Sequence, residues 1–309
     1  MKIAENVLKA IGNTSIVKLN SVVPPDCATV LVKLEWENPT GSMKDRMAQA
    51  MIAEAEKDGR LVKGGTVVEY SGGSTGTSLA LICAVKGYRL RIVSSDAFSK
   101  DKIDHMRAFG ADMTVISSEG KGITKDLIEE MIETAREFSR ESNTYWTDQL
   151  NNYAHIAGYH QLGEEIWQQT DGNIDAFVHV VGSAASFRGT ATILKKYKPN
   201  IKIYAVEPAE SPVLSEGRSG SHGIGGIGIG FTPPLWNPGI VDDIISISTI
   251  EAKEMARRLV REEGLFAGIS SGANVAAAIK IAKRLNLNAT VVTLLVDSGL
   301  KYLSGDLYK

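Results

Sequence analysis

The chain is poor in cysteine and has no long apolar run. Two cysteines in 309 residues, Cys27 and Cys83, cannot form a disulfide framework or a four-cysteine zinc site. A reduced, cytoplasmic setting is expected. No stretch approaches the roughly 18 uninterrupted apolar residues of a bilayer span. The opening MKIAENVLKAIGNT lacks the apolar region and cleavage site of a signal peptide. Neither charge sign is in excess: 34 Lys and Arg face 36 Asp and Glu, a formal net charge of -2. That balance argues against a nucleic-acid or membrane partner. The histidines His105, His155, His160, His179 and His222 include no i, i+4 pair and no cysteine at metal spacing, so no metal is expected.

Glycine is the residue in surplus, at 30 of 309 against a usual share of roughly 7%. The length suggests about two domains. Short β-branched runs alternate with helical patterns. Strands are expected at 29–34, 66–70, 89–94, 113–116, 176–181, 201–206 and 290–296. Helices are expected at 44–57, 75–86, 100–109, 124–141, 151–170, 248–263 and 274–285. This alternation implies an α/β fold with mainly parallel sheets. The glycine- and proline-rich stretch 217–238 reads as a long ordered loop. A domain division near residue 145 is compatible with the pattern.

In open α/β sheets ligands gather where strands end and helices begin. Three such junctions carry small or hydroxylated residues. Ser71-Gly72-Gly73-Ser74-Thr75-Gly76 follows the strand TVVEY. Gly182-Ser183-Ala184-Ala185-Ser186 follows AFVHVV. Gly268-Ile269-Ser270-Ser271-Gly272-Ala273-Asn274 opens an alanine-rich helix. The first reads more readily as a tight turn than as an anion nest, the second as either, and the third most simply as a helix cap. A fourth element is Lys44, in Asn38-Pro39-Thr40-Gly41-Ser42-Met43-Lys44-Asp45-Arg46. A lysine at a helix start sits against the helix dipole, which lowers its pKa if it is buried and suits a Schiff-base former. A solvated surface lysine is the alternative. Residues 223–228 match the dinucleotide pattern G-x-G-x-x-G, but no strand precedes them and Pro233-Pro234 follows.

Together and in this order, these elements resemble the cysteine synthase and cystathionine β-synthase family of fold-type-II pyridoxal phosphate (PLP) enzymes. Ile11-Gly12-Asn13-Thr14 resembles the family opening I-G-N-T-P-L. Lys33-x-Glu35-x-x-Asn38-Pro39-x-x-Ser42-x-Lys44-Asp45-Arg46 matches its lysine motif. Val206-Glu207-Pro208, Gly226-Ile227-Gly228-Ile229-Gly230-Phe231 and Gly268-Ile269-Ser270-Ser271-Gly272 match later segments. The resemblance implies two three-layer α/β domains of the tryptophan synthase β-like PLP fold. The smaller, mobile one would span 35–145 and carry the substrate loop. The larger would combine 1–34 with 146–309 and carry the phosphate loop. Lys44 would be the catalytic, cofactor-binding lysine. Gly182, Ser183, Ala184, Ala185 and Ser186 would hold the phosphate, with Ser270 at the ring nitrogen and Ser74 at the ring hydroxyl. Ser71, Gly72, Gly73, Thr75 and Gln149 would bind the substrate carboxylate.

The implied reaction is β-replacement on an O-activated L-serine, with O-acetyl-L-serine and sulfide giving L-cysteine and acetate. A homodimer and a serine acetyltransferase partner belong to the same implication. Gly72 and Ser74 depart from the family loop T-S-G-N-T, which leaves other substrates open. These include β-cyanoalanine synthase, cysteine desulfhydrase and other β-substituted alanine chemistry. Serine or threonine dehydration, and a non-catalytic PLP-binding regulator, stand further off. Ala184 and Ala185 replace two family glycines, which alanine permits only where φ is negative.

Overall fold

The computed structural model describes residues 3–122 and 124–309, so Met1 and Lys2 of the expected larger domain and Ile123 lie outside the described residues. The chain divides into two compact units, Met1–Ile11 with Lys44–Gly158, and Gly12–Met43 with Tyr159–Lys309. The bounds expected from the sequence lie at 35 and 145.

After a 3-10 turn at Val7–Ala10 in the first unit, the strands begin in the second, with β1 (Ile16–Lys18) and β2 (Thr29–Leu34). The first unit follows as α1 (Lys44–Lys57), β3 (Thr66–Tyr70), α2 (Ser74–Lys86), β4 (Arg89–Ser95), α3 (Lys100–Ala108), β5 (Asp112–Ile116), α4 (Lys125–Phe138), β6 (Thr144–Trp146) and α5 (Ala154–Ala157). The second unit resumes with α6 (His160–Gln169), β7 (Ala176–Val180), α7 (Ala185–Tyr197), β8 (Lys202–Pro208) and α8 (Val213–Glu216). It ends with β9 (Asp243–Ile247), α9 (Thr249–Arg258), α10 (Ile269–Ala282) and β10 (Thr290–Leu295).

The first unit is a four-stranded parallel sheet, ordered β5-β4-β3-β6. Every residue of β3 is buried, which accounts for its nearly continuous apolar reading. Helix α1 packs on α2 and α5, and α4 lies against β3 and β4. The sequence suggests one helix over 151–170. Instead the chain breaks between α5 and α6, at Gly158. A Cβ there would sit 2.9 Å from Ala50 Cβ and 3.0 Å from the Arg46 carbonyl, so the backbone passes directly against α1.

The second unit holds a six-stranded sheet, β1-β2-β10-β7-β8-β9, parallel except where β1 runs against β2. Helix α10 is alanine-rich and nearly wholly buried, packed on α9, β10 and β7. Gly272 makes that possible, because a Cβ would meet the Ala252 carbonyl of α9 at 2.0 Å. A capping box at Ser248 and Glu251 starts α9. Strands β1, β6 and β9 were not expected; they are too short, or too mixed in character, to stand out as period-two runs. The stretch 217–237 has no helix or strand, and residues 223–228 lie within it.

The motif residues Lys33, Glu35 and Asn38 form a buried frame in this unit. Lys33 Nζ pairs with Glu165 at 2.7 Å and donates to the Thr14 carbonyl. Glu35 accepts from Thr14 Oγ1 at 2.7 Å and from Asn38 Nδ2 at 3.1 Å. Asn38 Oδ1 accepts from the Gly12 N–H at 2.9 Å. Removing one member of a buried ion pair leaves the other charge desolvated. Lys33→Met is expected to lower the unfolding free energy by roughly 3–5 kcal/mol, read as a lower denaturant midpoint. A midpoint matching wild type would show that Glu165 needs no partner.

Candidate active site

In the first unit, β3 delivers the loop 71–73 to the start of α2. Ser71 Oγ accepts from the Gly73 N–H at 3.1 Å and the Gly76 N–H at 2.9 Å. Its oxygen thus satisfies two donors of the helix start. Thr75 Oγ1 donates to Gln149 Oε1 at 2.9 Å, and Gln149 Nε2 donates to the Tyr70 carbonyl at 3.0 Å. The fold therefore brings together Thr75 and Gln149, 74 positions apart. Gly72 packs against an aromatic ring: a Cβ would lie 2.4 Å from Phe98 Cε1. The space a family serine would use is filled by Phe98. Lys44 is the first residue of α1, in the same unit.

Beneath the loop is a carboxylate that sequence reading missed. Glu69 is fully buried. It accepts from Thr147 Oγ1 at 2.5 Å, the Gln149 N–H at 3.0 Å and the Tyr70 N–H at 3.0 Å. Burial pushes its pKa up to about 7, against those hydrogen bonds. His155, also fully buried, pairs through Nδ1 with the Gln149 carbonyl at 2.9 Å. Burial first, then the charge of Lys44, lowers its pKa to about 3. Gln149 is thus held at its N–H, its carbonyl and both side-chain atoms.

In the second unit, β7 leads through 181–184 into α7. This helix has no acidic residue in its first turn and Lys195 and Lys196 in its last, a polarity that favours an anion at its start. Ala184 occupies the left-handed region with φ 69, contrary to the expectation of negative φ for an alanine there. Ala185 is the first residue of α7 and is not among the positive-φ residues. Gly182 admits no side chain, since a Cβ would lie 2.5 Å from the Gly226 carbonyl oxygen. Ser186 Oγ lies 2.9 Å from His179 Nε2. Ser270 is the second residue of α10, buried, with no acid in that first turn either. Ser183 and Ser74 are half-buried.

Among the described residues, no group of three His, Cys, Asp or Glu is placed to hold a metal ion. Burial pushes the Cys83 thiol up to about 12, so it is no nucleophile at neutral pH.

A family model described as pyridoxal-phosphate dependent enzyme matches residues 7–297. The chain belongs to that family. This PLP-dependent enzyme is 42% identical to a cysteine synthase of Staphylococcus aureus, over 99% of this chain and 98% of the relative. A crystal structure of cysteine synthase from Entamoeba histolytica shares its fold with a TM-score of 0.93 and 38% identity, covering 99% and 91% of the two chains. An O-acetylserine dependent cystathionine β-synthase from Helicobacter pylori matches with a TM-score of 0.92 and 35% identity, covering 100% of both.

The residues present suit the cofactor. An acid-free helix start with a glycine pressed on backbone and a buried serine offers N–H and O–H donors to a phosphate. Ser270 is buried, small and neutral, as a partner for a ring nitrogen would have to be. Sequence reading took His155 and His179 only as histidines without metal spacing, and passed over Glu69 and Phe98. Glu69 meets Thr147 and Gln149 across 78 and 80 positions, and His179 meets Asn274 across 95, contacts that no local pattern announces.

Glu69 and His155 tilt stability with pH in opposite senses. Between about pH 4.5 and 7, folded Glu69 keeps a proton the unfolded chain releases, so its contribution falls as pH rises. Between about pH 3 and 6.5, folded His155 refuses a proton the unfolded chain takes, so its contribution falls as pH drops. Urea midpoints at several pH values should show Glu69→Gln gaining stability with rising pH relative to wild type, and His155→Asn losing it. Parallel curves for all three proteins would refute both assignments. In the loop before α7, Ala184→Gly should raise the thermal midpoint, by relief of up to about 1 kcal/mol of left-handed strain; a lower midpoint would contradict that.

Proposed function

We propose that the enzyme is a cysteine synthase, replacing the acetate of O-acetyl-L-serine with sulfide to give L-cysteine. The carrying observation is the likeness to cysteine synthases along the whole chain. Bound PLP supplies an electron sink at the substrate α-carbon. Lys44 anchors the cofactor and then moves the α-proton as general base. Gly182, Ser183, Ala184, Ala185 and Ser186 hold the phosphate. Ser270 offers a neutral hydroxyl to the ring nitrogen, and Ser74 a hydroxyl to the ring oxygen. Thr75 and Gln149 exchange their mutual hydrogen bond for the substrate carboxylate, with Ser71, Gly72 and Gly73 contributing the loop.

The substrate loop belongs, in this proposal, to a smaller mobile domain over 35–145. The phosphate loop belongs to a larger one, 1–34 with 146–309. A cytoplasmic homodimer, with serine acetyltransferase as a partner, completes the reading. Its support is the family likeness. Among the described residues no helix is long and apolar enough to cross a membrane.

Phe98 against Gly72 favours one second reading, the same chemistry on another β-substituted serine. An absorbance spectrum of the holoenzyme separates the two. O-acetyl-L-serine should shift the cofactor band, and sulfide should restore it with release of L-cysteine. A band that ignores O-acetyl-L-serine but answers O-phosphoserine or cysteine moves the assignment to the second reading. Gln149→Ala should raise KM for O-acetyl-L-serine about 10–100-fold, the scale of a lost hydrogen bond to a charged group. An unchanged KM would remove Gln149 from carboxylate binding.

A further inference from the structure

His179 on β7 and Asn274 on α10 are fully buried, and the chemistry above uses neither. His179 Nε2 lies 2.9 Å from Ser186 Oγ, and its Nδ1 lies 3.2 Å from Asn274 Nδ2. Backbone groups decide which end of the Asn274 amide is which. Its Oδ1 accepts from the Val180 N–H at 2.8 Å, and its Nδ2 donates to the Leu294 carbonyl at 2.8 Å. A flipped amide would set donor against donor and acceptor against acceptor. The second hydrogen on Nδ2 therefore faces His179 Nδ1, which must present a lone pair. The ring proton then sits on Nε2, and the ring is neutral. A ring so set donates to Ser186 Oγ. Ser186 is in the first turn of α7. Having accepted from the ring, its hydroxyl keeps its own hydrogen for another acceptor.

We propose that His179 is a positioning residue: Asn274 holds it as the Nε2–H tautomer, and this commits Ser186 to donate its hydroxyl hydrogen to the cofactor phosphate. The inference rests on the assignment of the phosphate to Gly182–Ser186. With the opposite tautomer, Ser186 would spend its hydrogen on the imidazole and turn a lone pair toward an anion. The ring thus sets the polarity of a hydroxyl that could otherwise point either way.

A long-range proton–nitrogen NMR spectrum of the holoenzyme, with histidine labelled in nitrogen, reads the tautomer directly. A neutral ring protonated at Nε2 is expected for His179, identified by its absence from His179→Gln. A His179 ring protonated at Nδ1, or at both nitrogens, overturns the proposal. Cofactor affinity gives the second reading, from absorbance as PLP is titrated into the full chain stripped of cofactor. Ser186→Ala and His179→Leu should each weaken binding about tenfold. The double variant should be no weaker than either alone, since the two act as one unit. His179→Gln, which can still donate an N–H, should restore most of the loss. Losses that multiply in the double variant overturn the coupling while leaving the phosphate assignment in place. Full affinity in Ser186→Ala removes that assignment, and this inference with it.

Discussion

A helix that begins where a parallel strand ends leaves its first N–H groups without carbonyl partners, and the loops of both units are built around that shortage. After β3, Ser71 satisfies two such donors of α2 with one oxygen. After β7, α7 opens beyond a left-handed Ala184 with no carboxylate in its first turn. The sheets do not merely support these loops. Their parallel order puts helix starts at the strand ends, and the short side chains there keep those donors reachable.

Satisfying buried polar groups is the second constraint, and it makes the site rigid. Gln149 is held at four atoms by Glu69, Tyr70, Thr75 and His155. Asn274 is held by two backbone groups from different strands. Each network leaves little freedom to rotate an amide or a ring. The frame of Lys33, Glu35 and Asn38 works the same way, but holds backbone together instead of facing chemistry.

The sequence made the strand–helix alternation legible, because buried parallel strands are continuous apolar runs and helix starts carry hydroxyls and glycine. Lys44 and the three small-residue junctions were visible for that reason. What was hidden is whatever depends on distant partners. Thr75 meets Gln149 across 74 positions, and His179 meets Asn274 across 95. Gly72 read as a lost hydroxyl, whereas Phe98 occupies its place. A helix over 151–170 was reasonable by composition, and only the close pass of Gly158 on α1 explains its break.

The packing of α10 bears on how such chains are recognised. Gly272 is required by the carbonyl of Ala252, and Asn274 ties backbone of β7 to that of β10. Both lie in the stretch that looks most like a functional signature, yet the architecture alone would retain them. A relative that had lost its chemistry but kept this sheet would still carry Gly272 and Asn274. In surveys of uncharacterised genomes, a match resting on Gly272 alone therefore certifies only the scaffold.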